Sequence, residues 1–197
     1  MSYTPSGQLA SVTDPLNHTT SFAYTSGDLS TVTDPLGRTV NFTTDALGRV
    51  ILVTDPLGNQ SQNVYDALDR VVSRTDARGA QVAYGYDANS NLTNFTDARN
   101  NVIGFAYDLR NRVSTKTDAL LQAESYQYDA AGNLGFVTDR KGQVRGFTYD
   151  ALGRRTQSGF GAASTTSPVY ASTIGYTYDA ANRVTQLVDS ANGTISR

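Results

Sequence analysis

Apolar and polar residues alternate with period two along short runs of this chain, and the runs recur. Phe22 and Tyr24 fall on one face of an extended segment, with Ala23 on the other. The same holds for Phe42 and Thr44, Tyr84 and Tyr86, Phe105 and Tyr107, Tyr126 and Tyr128, Phe147 and Tyr149, and Tyr176 and Tyr178. The residues between them (Thr43, Gly85, Ala106, Gln127, Thr148, Thr177) are small or polar. This pattern predicts strands with one aromatic face and one thin, wet face. A second kind of run begins with an aliphatic residue: Leu9, Leu29, Val50, Val71, Leu92, Val113, Leu134 and Val184. Another apolar residue follows three positions on: Val12, Val32, Val53, Phe95, Val137 and Leu187. An odd offset puts the two on opposite faces unless a bulge intervenes, and the pattern alone leaves both arrangements open.

Between the runs lies one recurring turn grammar, Asp-x-x-Gly. It follows an aromatic in Tyr149-Asp150-Ala151-Leu152-Gly153-Arg154 and a threonine in Thr33-Asp34-Pro35-Leu36-Gly37-Arg38. Asp at the first position can accept a hydrogen bond from the N–H two residues on. Proline at the second position (Pro15, Pro35, Pro56) suits a type I turn. The fourth position then needs a left-handed residue to close a bulged hairpin. Gly48, Gly132, Gly153, Asn111 and Asn182 fill it in the first turn of a unit; Gly37, Gly58, Gly79, Gly142, Asn17, Asn100 and Asn192 fill it in the second. Gly7 and Gly27 belong to the same set of structural turn glycines. Ser90 and Leu121 break the rule, so their turns are expected to be irregular.

The grammar repeats with a fixed period. Units started at Tyr3, Tyr24, Thr44, Tyr65, Tyr86, Tyr107, Tyr128, Tyr149 and Tyr178 are separated by 21, 20, 21, 21, 21, 21, 21 and 29 residues. Nine units therefore cover residues 1–197 as a single array. The second unit is one residue short in its turn. The eighth carries extra sequence, placed at about residues 158–168, whose Gly, Ser and Thr content reads as a flexible loop. Turns every 10 or 11 residues leave room for one strand each, so about eighteen strands are expected. The fold class is all-β: tandem β-hairpin repeats forming one long antiparallel sheet that curves or spirals like a solenoid or shell. The chain opens inside repeat material, as expected for part of something longer.

Composition narrows the function. The formal charge is −2 and charged residues make up 17%, with no basic stripe to neutralise phosphates, which argues against nucleic acid as a partner. There is no cysteine, hence no disulfide framework or thiolate metal site. No run is long enough to span a membrane, and no signal peptide is visible.

The recurrent Tyr-Asp-x-x-Gly-Arg element, as at residues 149–154, with Thr-Asp-Pro-Leu-Gly between such elements, resembles the YD repeat of RHS (rearrangement hot spot) proteins. Animal teneurins and the shell subunits of bacterial insecticidal toxin complexes are similar in repeat pattern. The resemblance implies a ribbon of hairpins wound into a hollow shell that, in bacterial relatives, encloses a C-terminal toxin. It implies a secreted or cell-surface bacterial location, neighbouring repeats of a larger parent chain as the first partner, and toxin cargo or a cell-surface glycan as further ones. The aspartate-rich core element that ends the repeat region in bacterial members has no counterpart in these residues.

Candidate chemistry is sparse. His18 is the only histidine and sits beside a turn; Glu124 is the only glutamate and sits in a strand. Nothing forms a base–nucleophile pair, so no enzyme, no catalytic residue, no metal site and no cofactor is expected. Turn aspartates about ten residues apart are too dispersed for calcium. Asp66 with Arg70, and Asp150 with Arg154, read as a turn cap beside a solvated arginine. Alongside the turn glycines, the residues expected to matter form a structural aromatic ladder: Tyr24, Tyr65, Tyr86, Tyr107, Tyr128, Tyr149 and Tyr178, with Phe22, Phe42, Tyr84, Phe105, Tyr126, Phe147 and Tyr176. The leading expectation is a structural shell segment. An extracellular adhesion module binding glycan or protein is one alternative. A filament or other homo-oligomer joined through open edge strands is another.

Overall fold

The computed structural model describes residues 1–196. Its nineteen strands belong to one antiparallel sheet, and no helix is present among the described residues. The chain divides into two compact units, Met1–Gly85 with Phe95–Asn101, and Tyr86–Asn94 with Val102–Arg197.

The first unit contains β1 (Ser2–Tyr3), β2 (Leu9–Thr13), β3 (Thr19–Thr25), β4 (Asp28–Thr33), β5 (Thr39–Thr44), β6 (Val50–Thr54), β7 (Gln60–Tyr65), β8 (Val71–Thr75) and β9 (Gln81–Tyr86, whose last residue falls in the second unit). After β10 (Leu92–Thr96) the second unit continues with β11 (Val102–Tyr107), β12 (Val113–Thr117), β13 (Ala123–Tyr128), β14 (Leu134–Thr138), β15 (Val144–Tyr149), β16 (Arg155–Ala162), β17 (Ser172–Tyr178), β18 (Val184–Asp189) and β19 (Gly193–Ser196). Nine units of two strands account for β2 to β19, and β1 is the extra one.

Within each unit, strands pair with their neighbours in sequence, and the register explains the odd offset of the aliphatic positions. Between β13 and β14, Tyr126 faces Val137 and Gln127 faces Phe136, but Tyr128 faces Leu134, so Gly135 is an extra residue. This bulge swings Leu134 back onto the face that Val137 occupies. Both aliphatic positions therefore pack on the aromatic side. The same shift recurs between β3 and β4, β5 and β6, β7 and β8, β11 and β12, β15 and β16, and β17 and β18.

The sheet shows its two faces in the burial pattern. Along β3, Thr20, Phe22 and Tyr24 are half-buried and the residues between them are exposed. Apolar side chains of neighbouring strands shield one another laterally, which half-buries them without a second layer. Among the described residues, full burial is confined to one stretch: Val137, Val144, Gly146, Ser158, Gly159 and Ala162. It adjoins the extra sequence of the eighth unit. That sequence is not a loop from Ser158: β16 runs on to Ala162, because Ser158, Gly159 and Phe160 pair with Ile174, Thr173 and Ser172 of β17. The non-strand segment is residues 163–171.

Candidate functional site

The recurring site is the cassette that joins one unit to the next. It starts from the turn. In Asp34-Pro35-Leu36-Gly37-Arg38 the Gly37 N–H donates to the Asp34 carbonyl at 2.9 Å, and the Asp34 N–H to the Arg38 carbonyl at 2.9 Å. Asp34 Oδ1 accepts from the N–H of Leu36 and also from that of Arg38, each at 2.9 Å. The second of these, four residues on, was not apparent from the turn grammar. It means that one carboxylate oxygen holds both the turn and the first residue of the next strand. The other oxygen takes the arginine, with Arg38 Nε at 2.6 Å. Asn59 and Asn101 replace that arginine with an amide donor to Asp55 and Asp97, both at 2.8 Å. His18 does the same with Asp14 at 3.0 Å, so the lone histidine is a turn partner.

Each hydrogen bond to the carboxylate favours its charged form. The side-chain and backbone donors of Arg112 hold Asp108 down to about 2. Asp45, Asp66 and Asp150 are lowered in the same direction, Asp45 and Asp66 chiefly by the arginine side chain and Asp150 chiefly by the Arg154 backbone N–H.

The structural turn glycines (Gly7, Gly27, Gly37, Gly48, Gly58, Gly79, Gly132, Gly142 and Gly153) have φ between 74° and 97°. Two expectations fail here. Ser90 and Leu121 take φ of 66° and 60° and make the same turn hydrogen bonds as their glycine counterparts, so their turns are regular. The Asp cap and the two backbone bonds outweigh the local strain of a side chain in the left-handed region. Asn192, in contrast, is not left-handed; Gly193 is, at φ 92°, because Asp189 pairs directly with Gly193 and the last hairpin turns one residue later. The shortened second unit closes with a two-residue turn at Ser26 and Gly27, both at positive φ, as a type I′ turn requires.

The tyrosines serve the neighbouring unit. Pairing between β12 and β13 ends at Thr115 opposite Ser125, which leaves the Val113 carbonyl beyond the ladder. Tyr128 Oη donates to it at 2.9 Å. The same bond, always fifteen residues back, links Tyr24 to Leu9, Tyr65 to Val50, Tyr107 to Leu92 and Tyr149 to Leu134. Tyr178 reaches the Arg155 carbonyl across the longer eighth unit. A phenylalanine cannot make this bond, whereas the position two residues earlier is Phe or Tyr in most units and Asn63 in one, where the amide donates to the Val50 carbonyl at 3.1 Å.

The arginines complete the tie. Arg112 lies over the Tyr128 ring at 4.1 Å, Arg49 over Tyr65 at 4.9 Å and Arg154 over Tyr178 at 4.7 Å. Arg49 Nη1 continues to Asp69 Oδ1 at 2.6 Å, and Arg154 Nη1 to Asn182 Oδ1 at 2.9 Å. Both acceptors are the left-handed residue of the corresponding turn in the following unit. Asn91 reaches Asn111 in the same way at 2.9 Å. Arg112 meets Gly132 there, which offers no side chain, and its Nη1 is buried without a partner. Arginine side chains thus lie over several rings of the aromatic ladder, and Tyr84 with Phe95, at 5.5 Å, is a ring pair of the first unit. Glu124 belongs to a local ionic group with Arg140 at 3.7 Å and Tyr126 Oη at 3.0 Å.

No group of three or more potential ligands among the described residues is placed to hold a metal ion. No helix among them is long and apolar enough to cross a membrane.

Hairpins tied laterally in this way define a YD-type repeat sheet. The Teneurin YD-shell model matches residues 59–194, and the RHS Repeat model matches 3–39 and 25–60. The chain belongs to the YD-shell family of RHS-type repeat proteins. No curated protein matches the sequence. Among solved structures, TcdB2-TccC3 without its hypervariable C-terminal region aligns with a TM-score of 0.77 at 13% identity, over 97% of this chain and 12% of that one. TcdB2-TccC3-TEV aligns with 0.75 at 14% identity, over 96% and 11%. A Tc holotoxin pore from Photorhabdus luminescens gives 0.52 at 13% identity, over 90% and 14%. The chain spans about an eighth of the length of the first of these.

Proposed function

We propose that this chain is a wall segment of an RHS-type β-shell, one stretch of a longer parent whose shell encloses a toxin. Its work is spatial: the turn residues and the tyrosine ladder hold a sheet that extends by adding units. The observation that carries the reading is the direction of the ties. The hydroxyls of Tyr24, Tyr65, Tyr107, Tyr128, Tyr149 and Tyr178 donate to the previous unit, and Arg49 and Arg154 reach a turn of the next one, so these groups find their partners in neighbouring units. Such a unit gains its stability from adjacent copies, as a wall requires. The partners are then the remaining repeats of the parent and its cargo, and the location is secreted or cell-surface.

Limited proteolysis of a full-length parent tests enclosure. A cargo segment that resists protease until the shell is opened by denaturant is the expected result; a cargo digested as fast as free peptide contradicts it. A glycan array run on this chain separates the adhesion reading, since a wall segment gives no saturable binding. Concentration-independent light scattering is expected as well, whereas elongated particles growing with concentration favour a filament.

A further inference from the structure

The segment 163–171 is the part of the chain that the repeat does not require, and it lies over the buried glycines Gly146 and Gly159. Its anchor is Tyr170. A Cβ built on Gly159 or on Gly146 would fall within the Tyr170 side chain, Gly159 under the ring and Gly146 under the hydroxyl end. Gly146 pairs with Gly159 across β15 and β16, so the two glycines form one floor. Phe136, opposite Gly146 on β14, borders it. Val144 and Ala162, paired next to the floor, are each 2% exposed. The segment is tied at its end by the Ala171 N–H, which donates to the Phe160 carbonyl at 2.8 Å. An aromatic ring laid over cross-strand glycines replaces the packing that the glycines lack.

The face matters. Gly146 and Phe136 lie on the side of the sheet away from Tyr126, Val137 and Phe147, because neighbouring residues alternate. The segment therefore covers the polar face of these strands.

We propose that residues 163–171 are a latch, not a tolerated insertion. Tyr170, seated in the slot floored by Gly146 and Gly159, gives β14–β17 a local second layer and makes them the most protected strands of the second unit. This reading is independent of the shell assignment.

Native-state hydrogen–deuterium exchange of the full 197-residue chain tests it. In the unsubstituted chain, amides of β15 and β16 exchange more slowly than those of β11–β13. Tyr170→Ala speeds their exchange at least tenfold and leaves β5–β7 unchanged, which also reports that the variant is folded. Gly159→Ala does the same by filling the slot, and Tyr170→Phe keeps the protection because the ring remains. Unchanged exchange in both Tyr170→Ala and Gly159→Ala, a loss of protection spread evenly over the chain, or a loss in Tyr170→Phe equal to that in Tyr170→Ala overturns the proposal.

Discussion

At the scale of single residues, the fold depends on left-handed positions and on the carboxylate that precedes each. The requirement for positive φ was readable from the alternation of Gly and Asn at one site of the repeat. Its tolerance was not: Leu121 reaches φ 60° in a regular turn because Asp118 accepts from Leu120 and Gln122, each at 2.9 Å. That cap acts through geometry four residues away, which a turn pattern does not encode. Leu121 still carries the cost of a side chain in that region, so Leu121→Gly should stabilise the chain by about 0.5–1 kcal/mol. Gly153→Val, the reverse change at a φ of 74°, should cost about 1–2 kcal/mol. Denaturant titration reads both, and equal midpoints for the two variants would contradict the turn account. The capped aspartates set the acid response. The folded pKa values of Asp45, Asp66, Asp108 and Asp150 lie below the ordinary carboxylate value, so their contribution is full above about pH 4 and is lost as pH falls toward 2, where Asp108 titrates. Melting temperature followed by circular dichroism should be flat from pH 7 to about 4 and fall below it; a fall that begins near pH 6 would point to other groups.

At the scale of elements, the strands, their number and their two faces followed from period-two alternation and from turn spacing. The bulge did not, because a one-residue slip changes which face a side chain takes without changing composition. Gly135 shows the consequence: as the extra residue opposite Gln127 and Tyr128, it lets Leu134 and Val137 share a face. The reason for tyrosine was also hidden, since it depends on a carbonyl fifteen residues earlier that the ladder leaves open. Tyr128→Phe should therefore cost about 1 kcal/mol, while a Phe at position 126 should cost little from lost hydrogen bonding to backbone. The arginine tie gives a sharper case. Arg112 lacks the acceptor that Arg49 and Arg154 find, since Gly132 stands where Asp69 and Asn182 do. Gly132→Asn should stay within about 0.5 kcal/mol of the unsubstituted chain, and Gly132→Ala should lose about 1 kcal/mol, because only Asn offsets the left-handed strain with a new acceptor. Equal losses would show that the tie contributes nothing. The insertion misled for a related reason: its Gly and Ser residues signal a loop, yet Gly159 is glycine to make room for Tyr170, a contact with no sequence signature.

At the scale of the whole molecule, the repeat was the feature most legible in the sequence, since nine similar units leave few alternatives to a laterally stacked array. The proposed wall role has no comparable signature, because it depends on what lies beside the array. Repeats reverse the chain twice each and lie side by side in a defined register. The chain has no cysteine, so paired substitutions report register directly. Thr115 faces Ala106 on one side and Ser125 on the other. Ala106→Cys with Thr115→Cys, and Thr115→Cys with Ser125→Cys, should each oxidise to a disulfide in the folded chain, and Ala106→Cys with Ser125→Cys should not. Ready cross-linking of that last pair, or failure of both adjacent pairs, would contradict the account.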